Sequence, residues 1–242
     1  MTSSAWRLAG LPWPSRCAIC RGWPSEPVCD ECVSHYAQPT PRCQRCALPL
    51  PTGRVCGACL HNPPPLDLCL SATTYSWPWM ELVARLKFQA EPGWARPLAT
   101  LMRSGDGVED ALTMADWVLP MPLSRQRLAE RGYNQSWLLA QHLCPPKARA
   151  DLLLRTRDTP SQRTLPRRER LANLAGAFAA EPLLAHTLRG RRVVLVDDVM
   201  TSGASLHTAA QALRLAGVTH IAAVVLARTD PHSTPEADTL PF

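Results

Sequence analysis

The sequence predicts an α/β protein in two parts. A small cysteine-rich segment comes first, followed by a doubly wound, mostly parallel sheet with helices on both faces. Three observations predict it. Eight of the ten cysteines fall within the first sixty residues, as four Cys-x-x-Cys pairs. Val193–Val196 is a run of four aliphatic residues, three of them β-branched, which is how a buried strand of a parallel sheet reads. After it come Asp197 and Asp198, a loop of small residues, and then Leu206, Ala209, Ala210, Leu213 and Ala216 at helical spacing up to Gly217.

The cysteine pairs are Cys17/Cys20, Cys29/Cys32, Cys43/Cys46 and Cys56/Cys59. Each pair can present two thiolates to one metal, and two pairs complete a tetrahedral site, so eight thiolates suit two zinc ions. The simplest pairing is sequential, the first four cysteines on one ion and the next four on the other; an interleaved pairing stays open. Four thiolates close a site, which makes both sites structural. The segment is rich in Pro and Arg and poor in large apolar residues, so its folding is expected to need metal. His35 and His61 read as solvated, because no cysteine is missing for them to replace. Cys69 lies in an apolar, strand-like run and reads as a core residue.

Composition narrows the class further. The chain has 242 residues, 46% of them hydrophobic, enough for one ordinary core plus a smaller part. No apolar run is long enough to cross a membrane. Met1–Leu8 lacks the basic and apolar regions of a signal peptide, so a cytoplasmic location and an absence of disulfides are expected. The net charge is +6, and it is concentrated: Pro120–Arg170 carries 11 basic residues against 4 acidic ones. Of the 26 basic residues, 24 are Arg, which grips phosphate with paired hydrogen bonds. An anionic ligand is implied: a diphosphate, a nucleotide or nucleic acid.

Pro63–Pro65 marks the boundary between the two parts, so residues 1–65 and 66–230 are the expected domains and 231–242 a disordered tail. Leu68–Trp77 reads as a strand, and Pro78 starts a helix whose stripe includes Met80, Val83 and Leu86, with Lys87 beside it. Lys87 is either a surface lysine or a group pointing into the site. Trp94–Met102 reads as a helix and Trp117–Leu119 as a short strand. That strand ends in the turn Pro120-Met121-Pro122-Leu123, followed by Arg125, Arg127 and Arg131, an arrangement suited to cradling an anion. Arg125 and Arg131 are the favoured pair. Gly132–Gln135 leads into a helix carrying Leu138, Leu139 and Leu143. Arg155–Arg170 is too basic and polar to be core; it suits a mobile cover over a substrate or a nucleic-acid track. Ile221–Leu226 is the last core strand.

The acid pair and its loop describe a ligand. In an open α/β sheet, ligands bind outside the carboxyl ends of the strands. A loop feeding a helix N-terminus offers free N–H groups to a phosphate. Adjacent carboxylates repel an anion but accept hydrogen bonds from sugar hydroxyls. Together these groups describe a ribose-5-phosphate site. Asp197-Asp198 with Thr201-Ser202-Gly203-Ala204-Ser205 resembles the phosphoribosyl pyrophosphate (PRPP) motif of the type I phosphoribosyltransferases.

The resemblance extends along nearly the whole chain. The four Cys-x-x-Cys pairs, Leu86-Lys87-Phe88, Pro120–Leu123, Arg131–Gln135, the Thr159, Gln162, Arg170 and Asn173 spacing, the PRPP-type motif and Ala227-Arg228 together resemble the competence protein ComF family, also called ComFC or GntX. Tyr133 stands where Phe is common and Ser202 where Thr is common. The resemblance implies a double zinc ribbon joined to a phosphoribosyltransferase domain, in a protein associated with natural transformation. It implies that Asp197 and Asp198 hold the ribose of Mg²⁺-bound PRPP in the catalytic position. Val199, Met200, Thr201, Ser202, Gly203, Ala204 and Ser205 would bind the 5′-phosphate, and Met121, Pro122, Leu123, Arg125 and Arg131 would face the pyrophosphate. It also implies single-stranded DNA and competence or recombination proteins as partners. No residue names an acceptor, so a non-catalytic DNA-binding factor and a PRPP-sensing regulator stay open beside the transferase.

Overall fold

The computed structural model describes residues 15–156 and 176–230. The chain divides into two compact units after Gln38. In the first unit, Ser15 and Ser25 exchange two backbone hydrogen bonds of 2.9 Å, closing a turn that carries Cys17 and Cys20. Helix α1 (Asp30–Tyr36) follows; Cys29 caps it by accepting from the Cys32 amide, and Asp30 and Glu31 lie in the first turn, where carboxylates complement the helix dipole.

The second unit holds the other four paired cysteines together with the sheet. Its elements are α2 (Gly57–His61), β1 (Leu68–Thr74), α3 (Trp79–Phe88), α4 (Ala95–Arg103), α5 (Val108–Met114), β2 (Trp117–Pro120), α6 (Arg125–Arg131), α7 (Gln135–Leu143), β3 (Leu153–Arg155), β4 (Phe178–Ala180), β5 (Arg192–Met200), α8 (Ala204–Leu215) and β6 (His220–Arg228). The main sheet has the order β1-β6-β5-β2, with every neighbouring pair parallel. β3 and β4 form a separate antiparallel pair.

Both faces of the sheet are covered. Val193 and Leu195 of β5 share a buried cluster with Ala223 and Val225 of β6 and with Leu206, Ala209 and Leu213 of α8. The intervening Val194, Val196, Ala222 and Val224 are buried too, and α4 and α7 pack against the strands. A strand covered on both faces has no polar side to show, which is why β5 and β6 read as unbroken apolar runs. Cys69 is buried within the cluster, as its apolar surroundings in the sequence predict. The second set of cysteines joins the same cluster: Cys43, Cys46 and Cys59 are core residues of the sheet unit.

Two stretches beside the site differ from the sequence reading. β5 does not stop before the acid pair; it runs on to Met200, because β6 continues alongside it as far as Arg228. Arg125–Arg131 is a helix of its own, capped by Ser124, whose Oγ accepts from the Arg127 amide at 3.2 Å, and ended by Gly132 at φ 80°. The basic stretch from 157 to 175 and the tail 231–242 lie outside the described residues.

Candidate functional site

The acid pair sits near the end of β5, and other elements bring side chains to it. Ser136, fully buried at the start of α7, donates to Asp197 Oδ1 at 2.9 Å. Lys87, at the end of α3, reaches Asp198 Oδ1 at 2.8 Å. Each acid also caps the backbone after it: the Asp198 amide donates to Asp197 at 3.0 Å and the Val199 amide to Asp198 at 2.6 Å. Asp198 is only 2% exposed, and its Oδ2 is buried without a hydrogen-bond partner among the described residues. Burial and then the neighbouring Asp198 charge raise the pKa of Asp197 well above the carboxylate range, against the opposing pull of Lys87 and Ser136.

Beyond β5, Thr201 and Ser202 lead to Gly203, which starts α8 in the left-handed region at φ 77°. A Cβ there would displace the tips of the Met200 and His207 side chains, and the backbone angle itself favours glycine. The Ser202 Oγ accepts from the Ala204 amide at 3.4 Å. The exposed side chain of Thr201 and the first-turn amides of α8 therefore stand at the carboxyl edge of the sheet, immediately past the acid pair.

Of the two favoured arginines, only Arg131 is partly buried. Arg131 is half-buried, hydrogen-bonds to Gln135 and lies 5.5 Å from the Phe88 ring centroid. Burial lowers its pKa, and Asp198 is the largest opposing influence, which places its charge in the field of the acid pair. Arg125 and Arg127 are exposed on α6. Met121 follows β2 with its amide on the Val196 carbonyl, and its own carbonyl accepts from Asn134 Nδ2 at 3.0 Å. The Oδ1 of Asn134 caps α7 by accepting from the amides of Ser136 and Trp137. Asn134 thus ties the Met121 turn to the helix end that presents Ser136. Sequence reasoning does not single out Ser136; the signal that points to it is the Asn-x-Ser pattern of a helix N-cap. A pocket of about 290 Å³ lined by Leu68, Met114, Arg192 and His220 opens at the opposite, amino ends of the strands.

The eight paired cysteines gather sequentially. Cys17, Cys20, Cys29 and Cys32 form one cluster and Cys43, Cys46, Cys56 and Cys59 the other, each with all sulfurs within 4.8 Å of one another. Sulfurs at the corners of a tetrahedron with Zn–S bonds of about 2.3 Å lie about 3.8 Å apart. The observed Cys17–Cys32, Cys20–Cys29 and Cys46–Cys56 separations are 3.8, 3.7 and 3.7 Å. Backbone amides point at the sulfurs, with Cys29 N donating to Cys17 at 3.4 Å and Cys56 N to Cys43 at 3.3 Å. Burial raises both thiols, but these and adjacent amides outweigh it and lower Cys17 to about 6 and Cys43 to about 7. The donor sets fit zinc in size, number and charge.

Comparison with known proteins agrees with both halves of this geometry. The Double zinc ribbon domain family matches residues 8–60, and the Phosphoribosyl transferase domain family matches residues 138–242. The "DNA utilization protein YhgH" of Escherichia coli K12 is 31% identical over 238 residues, 92% of this chain and 98% of its own. "Competence protein F" of Haemophilus influenzae is 33% identical over 226 residues, 88% of this chain and 96% of its own. "Competence protein ComFC" of Bacillus subtilis is 28% identical over 200 residues, 78% of this chain and 79% of its own. With two Cys₄ zinc sites and a parallel α/β sheet of phosphoribosyltransferase type, the chain belongs to the competence protein F family.

Proposed function

We propose that this protein binds PRPP with Mg²⁺ at the carboxyl end of β5 and acts in the handling of incoming single-stranded DNA. One observation carries the ligand reading: the half-buried Asp197 and the buried Asp198 are followed within five residues by a glycine-started helix N-terminus, so hydroxyl acceptors and phosphate donors lie in one continuous stretch. The Asp197 and Asp198 carboxylates would accept from the ribose hydroxyls. The amides and hydroxyls of Thr201–Ser205 would hold the 5′-phosphate, and Met121–Leu123 with Arg131 would face the diphosphate. Buried Asp198 Oδ2, without a donor among the described residues, fits a site built for hydroxyls or a cation. Mg²⁺, arriving with PRPP, supplies neutralisation of the diphosphate charge.

The protein's own groups define what binding must do. Lys87 neutralises Asp198, so a ligand that engages this carboxylate takes over or shares that ion pair. Asp197 is held by Ser136 in a fixed orientation, leaving its second oxygen for a hydroxyl. If C1 of the ribose is to become electron-poor on the way to transfer, the two carboxylates are the nearest stabilising charges. The names of the relatives, together with the exposed Arg125 and Arg127 on α6, support the DNA part of the reading.

Calorimetric titration of zinc-loaded protein with PRPP and Mg²⁺ tests the ligand. Wild type is expected to bind, and the Asp197→Asn/Asp198→Asn variant to lose at least about tenfold in affinity, the effect of roughly 1.4 kcal/mol. Equal binding by both proteins, or none by the wild type, removes PRPP from the reading. Pyrophosphate release with candidate acceptors then separates a transferase from a regulator that only binds.

A further inference from the structure

A single buried arginine joins the second cysteine cluster to the phosphate loop. Arg228 ends β6 and is 5% exposed. Its Nε donates to the carbonyl of Cys46, a member of the second cluster, at 2.8 Å. Its Nη1 donates to the carbonyls of Met200 at 2.9 Å and Thr229 at 2.7 Å, and to that of Thr201. Met200 and Thr201 are the residues that lead from the acid pair into the Gly203 turn. A guanidinium is planar and rigid, so its two sides hold these carbonyls at fixed separation.

Two further residues, Cys69 and Arg42, tie the same Cys43–Cys46 knuckle to the sheet. The Cys69 amide donates to the carbonyl of Gln44, which lies between the cluster members Cys43 and Cys46, at 2.8 Å. The Cys69 thiol in turn lies 3.5 Å from the Met200 sulfur. Arg42 bridges the same knuckle to β1, donating to the Ala47 carbonyl at 3.1 Å and to Thr74 Oγ1 at 3.0 Å. Met200 and Ala204 share a hydrophobic cluster with Cys43, Cys46 and Cys59. The knuckle is therefore a wall against which the loop is built.

We propose that the second zinc site positions the phosphate loop, with Arg228 as the positioning residue that couples them. Zinc at Cys43, Cys46, Cys56 and Cys59 fixes the Cys46 carbonyl; Arg228 transmits that position to Met200 and Thr201; and the α8 amides are presented in register for an anion. The ligand part of this proposal rests on the phosphate reading above, and the loop part does not. Coupling is reciprocal, so an anion on the loop must also hold the second zinc more firmly.

The test uses the zinc-loaded full chain and Arg228→Lys, with Arg228→Met as a second variant. Lysine keeps the charge but cannot span both sets of carbonyls. Arg228→Lys is expected to keep two zinc ions per chain, while hydrogen exchange at the amides of Ser202–Leu206 speeds up about tenfold and exchange within β5 stays unchanged. PRPP affinity falls about tenfold in parallel. In wild type, PRPP with Mg²⁺ slows zinc release to a chelator from one of the two sites, and in Arg228→Lys it does not; a purely structural role would not move this readout. Unchanged loop exchange in a variant that retains both zincs overturns the proposal. So does PRPP binding that leaves zinc release from both wild-type sites unaltered. If neither variant folds, removing the second site's zinc from wild type by limited chelation must accelerate loop exchange, and its failure to do so overturns the proposal equally. Faster loop exchange in Arg228→Lys, in a protein whose wild type binds no PRPP, would leave the coupling standing and remove the PRPP reading instead.

Discussion

Asp197 shows at the scale of one residue how a site is kept ready at a cost in stability. Burial and the adjacent Asp198 raise its pKa, so the folded protein holds its proton more tightly than the unfolded chain does. As pH rises above the ordinary carboxylate range and through this raised value, ionising Asp197 removes stability. Asp197→Asn is therefore expected to melt higher than wild type without ligand at pH 8, by a few degrees at about 2–4 °C per kcal/mol for a chain of this size. The difference should shrink as pH falls toward 5, where the wild-type carboxyl is increasingly protonated. Melts at the two pH values check this, and a variant no more stable than wild type at pH 8 would contradict it. The acids and the loop can be found by reading along the chain because they are consecutive. Lys87 and Ser136 cannot be ranked that way: a helix-end lysine and a first-turn serine look the same on a solvated face, and only the fold points them at a carboxylate.

At the scale of the element, the turn from β5 into α8 depends on Gly203. The left-handed angle costs an ordinary residue about 1–2 kcal/mol, while the ends of the Met200 and His207 side chains can move aside. Gly203→Ala should lower the stability of the sheet unit by about 1–2 kcal/mol and weaken phosphate binding by displacing the first-turn amides. Denaturant unfolding and phosphate or PRPP titration measure the two effects. A neutral Gly203→Ala would mean that the turn is not held as described. The helix α6 shows where reading by element falls short. Its arginines are legible as an anion-binding group, but a short helix with a Ser cap and a Gly stop sorts them. Arg131, at its end, is partly buried against Gln135 and the Phe88 ring, while Arg125 and Arg127 stay exposed.

At the scale of the whole molecule, the excess of arginine between Pro120 and Arg170 bears on DNA. If single-stranded DNA binds through these side chains, its affinity should be modest, indifferent to sequence and steeply salt-dependent, with a slope of roughly −0.7 per neutralised phosphate on a log–log plot. Arg125→Ala with Arg127→Ala should flatten that slope by about 0.7 for each phosphate that no longer meets an arginine. Fluorescence anisotropy across a salt series reads it directly. Binding that does not change with salt would exclude an electrostatic track.

Local chemistry is what the sequence determined by itself. Thiolate spacing dictates tetrahedral metal sites, an apolar run dictates a buried strand, and the small-residue loop with Gly203 dictates the turn from that strand into a helix. Each depends on residues that are neighbours in the chain, so order alone carries the information. The tertiary structure decided which separated groups meet: that Lys87 and Ser136 complete the acid pair, that the cysteines pair sequentially, and that the second knuckle is built into the sheet's core through Arg228. Those meetings are set by packing a two-sided parallel sheet, where the choice of neighbour follows from strand order and helix placement.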